Sequence, residues 1–194
     1  MNRKPLRIAL SLVAAATLGL SLFFAVDRIS ARPGLAQESS EEGEADETIL
    51  LPEWASIELV DAVTGESFTI ADFAGRPIFV ESFAVWCPIC LRQQREMARL
   101  LELEGDSIVH VSLDTDPNED VVAVRLHAEG HGFTWRFAVA PVEMTQMLID
   151  EFGLIVANPP SAPVVFIDVD GSARLLPRGV KSAEELLEEI AGTG

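Results

Sequence analysis

Residues 77–90 have the sequence PIFVESFAVWCPIC, and this stretch decides the fold. Its first eight residues are almost continuously apolar, which is typical of a strand buried on both faces of a sheet. Two cysteines follow at once, and the apolar spacing from Cys90 to Glu104 predicts a helix that ends at Gly105. The stretch therefore predicts a central strand that leads directly into a helix carrying a C-x-x-C pair.

Strands and helices alternate on either side of this stretch. Turn residues, capping residues and apolar periodicity set the limits of each predicted element. Before the stretch, a hairpin of strands 56–60 and 66–70 is predicted around Thr64 and Gly65. After it come a strand at 107–113, a helix capped by Asp116 and ending at Glu129, a strand at 133–139 and a helix at 142–152. The chain closes with a hairpin of strands 164–169 and 173–176 around a type I′ turn at Asp170 and Gly171, and with a helix capped by Ser182 and Glu185. This order predicts an α/β fold with a central mixed β-sheet flanked by helices and an extra N-terminal β-hairpin.

The size and charge of the chain limit the number of domains and the classes of partner that it can have. It has 194 residues, with 31 Asp and Glu against 14 Lys and Arg, a formal net charge of −17 and only two cysteines. The length allows one globular domain with a small additional segment. The acidic surface lacks the cations that neutralise phosphates, so nucleic acid is excluded as a partner.

The N-terminal segment predicts a location outside the cytoplasm. Residues 1–7 contain three basic side chains, and residues 8–26 are 19 uncharged residues, close to the about 20 that a membrane-spanning helix needs. We expect residues 8–26 to anchor the chain in the cell membrane, with residues 1–7 in the cytoplasm. The alternatives are a signal cleaved after residue 36, which would give a secreted domain, and a buried core helix.

Residues 27–48 are predicted to be an acidic, flexible tether. Within them, residues 37–48 hold six carboxylates and almost no branched or aromatic side chains, so they cannot bury enough apolar surface to fold. Residues 49–194 then form the folded domain, which an anchored or exported chain places on the periplasmic or extracellular face.

The two cysteines are the candidate chemical centre. A cysteine in the first turn of a helix lies beside unpaired backbone N–H groups and the positive end of the helix dipole, which stabilise its thiolate. Cys90 lies three residues after Cys87, on the same helix face and within disulfide distance. The pair is therefore predicted to be redox-active. The alternatives are a static disulfide and a zinc site completed by His127 and His131, although 36 residues separate Cys90 from His127, where compact fingers have about 12–15.

None of the histidines is assigned a role, and no metal site is predicted. His110 lies within a predicted strand, where we expect a hydrogen-bonded core side chain. His127 and His131 are four residues apart, but Gly130 and Gly132 are expected to end the helix between them.

Glu81 is the most informative residue after the cysteines. A carboxylate in an apolar strand is costly to bury, and desolvation raises its pKa toward values useful for proton transfer. Glu81 lies six residues before Cys87, and the alternative is an edge strand on which its side chain faces water. Pro163 precedes the apolar run VVFID, and the Ala162–Pro163 bond is either cis or part of an extended loop.

Two segments of the chain resemble the thioredoxin superfamily, and within it the membrane-anchored thiol–disulfide oxidoreductases of the TlpA/ResA type, which are redoxins. They are GESFTIADFAGRPIFVESFAVWCPIC at residues 65–90 and SAPVVFIDVDGSARLLPRG at residues 161–179, within a resemblance that covers about residues 53–192. The resemblance implies a thioredoxin-like fold. It also implies that Cys87 is the nucleophile and Cys90 the resolving cysteine.

Further roles follow from the same resemblance. Pro163 is implied to be a cis-proline facing the cysteines, and Trp86, Pro88 and Ala162 to join it in binding the substrate. Glu81 falls where thioredoxin itself has a buried aspartate that assists proton movement at the second cysteine. The chain departs from the TlpA type at Glu81, where Asn is more common, at the dipeptide that begins with Pro88, which is often Pro-Pro, and at Ala162, which is often Thr or Val. The first departure makes the implied proton relay more like that of thioredoxin. The other two bear on the redox potential and the choice of client, because those positions lie beside the sulfurs.

The implied function is an extracytoplasmic thiol–disulfide oxidoreductase that exchanges electrons with disulfides of exported proteins, acting as a reductase. No cofactor is required, and a membrane thiol electron donor is expected to recycle the dithiol. One alternative is a thiol peroxidase, whose attacking cysteine usually follows a proline and a threonine, whereas residues 83–86 are FAVW. The other is a copper or haem-assembly thiol chaperone with Met144 and Met147 as soft ligands.

Overall fold

The structure, a computed structural model, describes residues 49–192, so the predicted anchor at 8–26 and tether at 27–48 lie outside the described residues. Within residues 49–192, no helix has the length and apolar character needed to cross a membrane. The strands are β1 (Leu59–Val60), β2 (Ser67–Phe68), β3 (Ile78–Phe83), β4 (Val109–Asp114), β5 (Arg136–Val139), β6 (Val164–Ile167) and β7 (Ala173–Leu175), and the helices are α1 (Pro88–Glu104), α2 (Val121–His131), α3 (Val142–Phe152) and α4 (Ala183–Ala191).

The strand β3 lies at the centre of a five-stranded mixed sheet with the order β5-β4-β3-β6-β7. β3, β4 and β5 run parallel, whereas β6 is antiparallel to β3 and β7 is antiparallel to β6. β1 and β2 form a separate antiparallel hairpin. All six residues of β3 are buried, as expected for a strand covered on both faces. The predicted α/β fold, its central strand and its N-terminal hairpin are confirmed.

Alternate residues of β3 point to opposite faces of the sheet, and the strand contributes side chains to three core clusters, the third of which contains the cysteines. Ile78 and Val80 pack on the face covered by α3 and the N-terminal hairpin, in the cluster that contains Met144. Phe79 packs on the other face, with α1 and α4. By the same alternation, Glu81 points to the face covered by α1 and α4.

The helix α2 begins at Val121, later than the predicted start after Asp116. Asp120 is its N-cap, and Oδ1 of Asp120 accepts hydrogen bonds from the backbone N–H groups of the second and third helical residues, at 3.0 and 2.9 Å. Asp116 Oδ1 instead accepts the Asn118 backbone N–H at 2.9 Å, which closes a turn before the helix. The sequence pattern misplaced the cap because both aspartates have a side chain able to accept N–H bonds from following residues.

The hairpin of β6 and β7 has a different turn from the type I′ turn that was predicted. A type I′ turn requires positive φ at both central residues, but Gly171 has a φ of 90° while Asp170 is not in the positive-φ region. Gly171 N–H donates to Asp168 O at 3.0 Å, and Asp168 N–H donates to Ser172 O at 2.9 Å. The loop therefore holds three residues, with glycine at the left-handed position beside the strand.

Candidate active site

The cysteine pair lies at the junction of β3 and α1. Cys87 is the N-cap residue of α1, and Pro88 is its first residue, where a backbone N–H would have no helical partner. Cys90 lies one turn later and forms a disulfide with Cys87, with a Cα–Cα distance of 5.3 Å. The Cys90 backbone N–H donates to Cys87 Sγ at 3.1 Å. Cys87 Sγ is therefore held by an N-terminal helix N–H group, as the spacing predicted.

The residues just before Cys87 are held by the connection between β4 and α2. Trp86 is 58% exposed, and its indole N–H donates to Asp116 Oδ2 at 2.6 Å. The Val85 backbone N–H donates to Glu119 Oε2 at 2.7 Å. Two carboxylates on a neighbouring connection thus position the chain that enters the cysteine pair.

The four predicted substrate-binding positions differ in exposure. Trp86 and Pro88, on either side of Cys87, are exposed, whereas Ala162 and Pro163 are buried. The Pro163 carbonyl oxygen accepts the Ser82 backbone N–H at 3.1 Å, which joins the start of β6 to the central strand. Only the first two side chains are open to a partner on this face.

The loop before β6 packs against Cys90. It forms two short 3-10 turns, and in the second, Pro159–Ser161, the Pro159 carbonyl oxygen lies 3.2 Å from Cys90 Sγ. Ala162 closes this turn, because its N–H donates to Pro159 O at 2.8 Å and its φ is 47°. Residues 49–192 contain no cis peptide bond, so the Ala162–Pro163 bond is trans and the implied cis-proline is wrong for this structure. The left-handed conformation of Ala162 makes the turn into β6 instead.

Glu81 is completely buried on the central strand, which excludes the alternative of an edge strand facing water. Ser112 Oγ donates to Glu81 Oε2 at 3.1 Å, and His110 Nε2 lies 3.6 Å from the same oxygen. Burial raises the pKa of Glu81 above its usual range, and the contacts with His110 and Ser112 and the charge of Lys181 oppose only part of this effect. Among the described residues, Glu81 Oε1 has no hydrogen-bond partner.

The polar group around Glu81 requires one proton more than Ser112 can supply. His110 Nδ1 lies 3.0 Å from the Phe79 carbonyl oxygen, so this nitrogen carries a proton and donates it. Nε2 of a neutral His110 is then an acceptor, 3.2 Å from Ser112 Oγ. The single Ser112 hydroxyl proton cannot serve both Glu81 and His110, and a proton on Glu81 removes the conflict. The contact between His110 and Glu81 was not foreseen by sequence analysis.

Lys181 and Gln93 are two further residues near the cysteine helix that sequence analysis missed. Lys181 is 6% exposed and its Nζ donates to the Ala162 carbonyl oxygen. Burial lowers the pKa of Lys181 to about 8, against the opposing effect of the Glu81 charge. Gln93 Nε2 donates to Lys181 O at 3.1 Å, and Lys181 N–H donates to Gln93 Oε1 at 2.7 Å. A usable signal for Gln93 was its place one turn after the second cysteine on the same helix face.

The two remaining histidines face each other, contrary to expectation. α2 continues through Gly130 to His131, and the ring centroids of His127 and His131 are 4.8 Å apart. His127 Nε2 lies 2.7 Å from Gln94 Oε1, and burial, followed by the nearby His131, lowers the pKa of His127 to about 4. The part of the chain that the structure describes has no group of three or more His, Cys, Asp or Glu placed to hold a metal ion. Met144 is buried in a core cluster separate from that of the cysteines.

Comparison with known proteins identifies the family. Residues 45–185 match the family model described as Redoxin. The chain belongs to the redoxin family. Within the thioredoxin superfamily, this membership and the Cys87–Cys90 pair make the chain a thiol–disulfide oxidoreductase, as the sequence implied. The comparison with curated proteins gives no match.

Solved structures share the fold of this redoxin at low sequence identity. A secreted Mycobacterium tuberculosis disulfide oxidoreductase homologous to E. coli DsbE has a TM-score of 0.54 and 19% identity, covering 72% of this chain and 98% of that one. A thiol:disulfide interchange protein from Chlorobium tepidum has a TM-score of 0.57 and 17% identity, covering 71% and 92%. BsSco, a member of the Sco family of cytochrome c oxidase assembly proteins, has a TM-score of 0.57 and 16% identity, covering 71% and 90%. These matches establish the thioredoxin-like fold.

The raised pKa of Glu81 predicts how stability depends on pH. The unfolded chain releases this proton near pH 4.5, whereas the folded protein retains it to higher pH. The stabilising contribution of protonated Glu81 is therefore complete below pH 4.5, and it is lost as the pH rises through the pKa of Glu81 in the folded protein. We expect the free energy of unfolding of the wild type to fall relative to that of Glu81→Gln as the pH rises above 4.5, measured by urea unfolding of both proteins.

The comparison of the two proteins isolates Glu81. The pKa of Asp114 is also raised, to about 7, but Asp114 is present in both proteins and its contribution cancels in the difference. A difference in stability that stays constant across this pH range would contradict a buried, protonated Glu81.

Proposed function

We propose that this redoxin is an extracytoplasmic reductase that transfers electrons to disulfides of exported proteins. The observation that carries the proposal is the Cys87–Cys90 pair at the N-terminus of α1, directly after a central strand with a buried Glu81. A dithiol at a helix N-terminus can form a reactive thiolate, and a buried carboxyl group nearby can exchange a proton with it.

The N-terminal sequence supports the proposed location. Residues 8–26 would anchor the chain in the membrane with residues 1–7 in the cytoplasm, and residues 27–48 would tether the domain at 49–194 outside it. The partners proposed on this side are exported proteins with disulfides, and a membrane thiol donor that restores the dithiol. Cleavage after residue 36 would instead release the domain as a secreted protein.

In the proposed reaction, Cys87 begins the exchange. Its thiolate attacks one sulfur of the client disulfide, forms a mixed disulfide and releases the other client sulfur as a thiolate. Cys87 suits this step because its Sγ accepts the Cys90 backbone N–H and lies at the positive end of α1. Trp86 and Pro88 flank it on the exposed face and would contact the client, with Ala162 and Pro163 forming the buried support behind them.

Cys90 completes the exchange. Its thiolate attacks Cys87 Sγ, the mixed disulfide breaks, and the client leaves with both sulfurs reduced while the Cys87–Cys90 disulfide forms. Two electrons have then passed to the client, and its two thiolates take up protons. The Pro159 carbonyl oxygen beside Cys90 Sγ favours the protonated thiol, so this step needs a proton acceptor. The ionised form of Glu81 would accept this proton from the buried side of the site. No cofactor is needed.

The proposed roles of the two cysteines predict different trapping behaviour. A Cys90→Ala chain should accumulate a mixed disulfide with a client, because Cys87 can still attack but nothing resolves the product. The matched Cys87→Ala chain should form little or none, because Cys90 Sγ lies beside a carbonyl oxygen that favours its thiol, whereas Cys87 Sγ accepts a helix N–H that favours its thiolate. Non-reducing electrophoresis of both variants after incubation with a disulfide-containing substrate measures this. Equal trapping by both variants would contradict the assignment.

The proposed role of Glu81 predicts a slower second step. In Glu81→Gln, attack by Cys87 should keep its rate, whereas resolution of the mixed disulfide should slow by about 100-fold and lose its pH dependence. Stopped-flow mixing of the reduced chain with a chromogenic disulfide separates the two steps. Glu66→Gln makes the same change at an exposed position and is the control. Unchanged resolution in Glu81→Gln would remove the carboxyl group from the mechanism.

The proposed direction of electron flow predicts the reduction potential. The full chain, equilibrated across dithiol and glutathione buffers, should show a two-electron transition below about −250 mV when the Cys87 and Cys90 thiols are counted by mass-tag alkylation. A potential above about −180 mV would instead indicate an oxidant or isomerase. If no reversible transition is found, both enzyme functions fail, and stoichiometric Cu(I) retention would then favour the metal chaperone.

A further inference from the structure

A pocket of about 450 Å³ lies at the carboxyl ends of β4 and β5, beside the start of α3. Carboxyl groups from the connection between β4 and α2 line this pocket together with aliphatic and polar side chains of β5 and α3. The acidic residues are Asp114, Asp116 and Glu119, and the aliphatic residues include Val139, Val142 and Ile149. Within residues 49–192, no lysine, arginine or histidine lines it.

Asp114 distinguishes this pocket from an ordinary acidic surface. It is 1% exposed, and its Oδ1 accepts the Asp116 backbone N–H at 3.0 Å. Oδ2 is buried and has no hydrogen-bond partner among the described residues. Burial raises the pKa of Asp114 to about 7, against the hydrogen bond from the Asp116 backbone. The charge of Glu119 and its side-chain contact with Asp114, and then the charge of Asp116, act in the same direction as burial. A buried carboxyl oxygen without a donor is destabilising, and a ligand that brings N–H groups and positive charge would relieve it.

The pocket is joined to the cysteine pair by two hydrogen bonds. Asp116 Oδ2 accepts the indole N–H of Trp86, and Glu119 Oε2 accepts the backbone N–H of Val85, at 2.6 and 2.7 Å. These two residues immediately precede Cys87 in the chain. A group bound in the pocket would therefore lie beside a client whose cysteine is attacked by Cys87.

We propose that this pocket binds a lysine or arginine side chain of the client, close in sequence to the client cysteine under attack. The alkyl stem would pack on the aliphatic residues, and the cationic head would reach the carboxyl groups. The inference rests on the proposed function, because it assigns a specificity pocket to the same thiol–disulfide exchange.

A basic side chain fits these observations better than a metal ion. The three carboxyl groups do not form a group placed to hold a metal ion, within the part of the chain that the structure covers. The aliphatic residues Val139, Val142 and Ile149 suit the methylene stem of lysine or arginine, which a hydrated metal ion lacks. The net charge of −17 further attracts basic segments to the domain.

Short disulfide peptides test the pocket through the reaction. Each carries one arginine at a different position near a cysteine, and the control peptide carries citrulline, its neutral isostere. At one or more positions the full reduced chain should give kcat/KM about tenfold or more higher with arginine. The ratio should fall toward one in Asp114→Asn but persist in Glu143→Gln, which removes an exposed carboxylate on α3 outside the pocket. Equal rates for arginine and citrulline at every position would overturn the proposal.

A binding measurement tests the pocket independently of the proposed reductase activity, because it requires no turnover. The indole N–H signal of Trp86 in a proton–nitrogen spectrum reports on Asp116, its acceptor. Titration of the full chain with N-acetyl-arginine amide should shift this signal saturably, and the citrulline analogue should not. No shift, an equal shift with citrulline, or a shift with Mg²⁺ at lower concentration would overturn the basic-side-chain pocket. A selective arginine shift without peptide reduction would uphold the pocket and overturn the reductase.

Discussion

Burial of β3 between two layers of side chains is the constraint on which the rest of the site depends. Each of its six residues is buried, and β4 and β6 hold it on both edges. A strand held in this way ends at a defined point, so the chain that leaves it enters α1 with Cys87 as the N-cap. The Cys90 backbone N–H that donates to Cys87 Sγ is therefore positioned by the core.

The same burial explains why a carboxyl group is useful on this strand. In an apolar core an ionised carboxylate is strongly disfavoured unless it is paired, so Glu81 holds its proton to higher pH than an exposed glutamate. Ser112 and His110 lie on the neighbouring strand β4. If Glu81 is ionised, the single Ser112 hydroxyl proton can satisfy either Glu81 or the His110 ring, but not both. Burial therefore gives the central strand a carboxyl group that keeps its proton to higher pH.

Acidic side chains also hold the surface around the cysteines together. Asp116 and Glu119 position Trp86 and Val85 through short hydrogen bonds, while Asp114 at the end of β4 keeps one oxygen without a partner among the described residues. Part of the negative charge of the chain thus lies beside the cysteine pair, where the proposed pocket would favour basic clients over acidic ones.

Local patterns in the sequence determined the elements and the chemistry that depend on near neighbours. The apolar run of β3, the position of Cys87 at a helix start, the burial of Glu81 and the capping box of Ser182 and Glu185 all follow from periodicity and spacing. Tertiary structure alone decided which residues from distant segments meet. His110 reaches Glu81 only because β4 pairs with β3 in one register, and Lys181 reaches Ala162 only because the chain before α4 packs on α1. The N-cap of α2, the turn between β6 and β7 and the trans bond before Pro163 were likewise settled by tertiary structure. At each of these places more than one local arrangement satisfies the same hydrogen-bonding groups, and packing selects one.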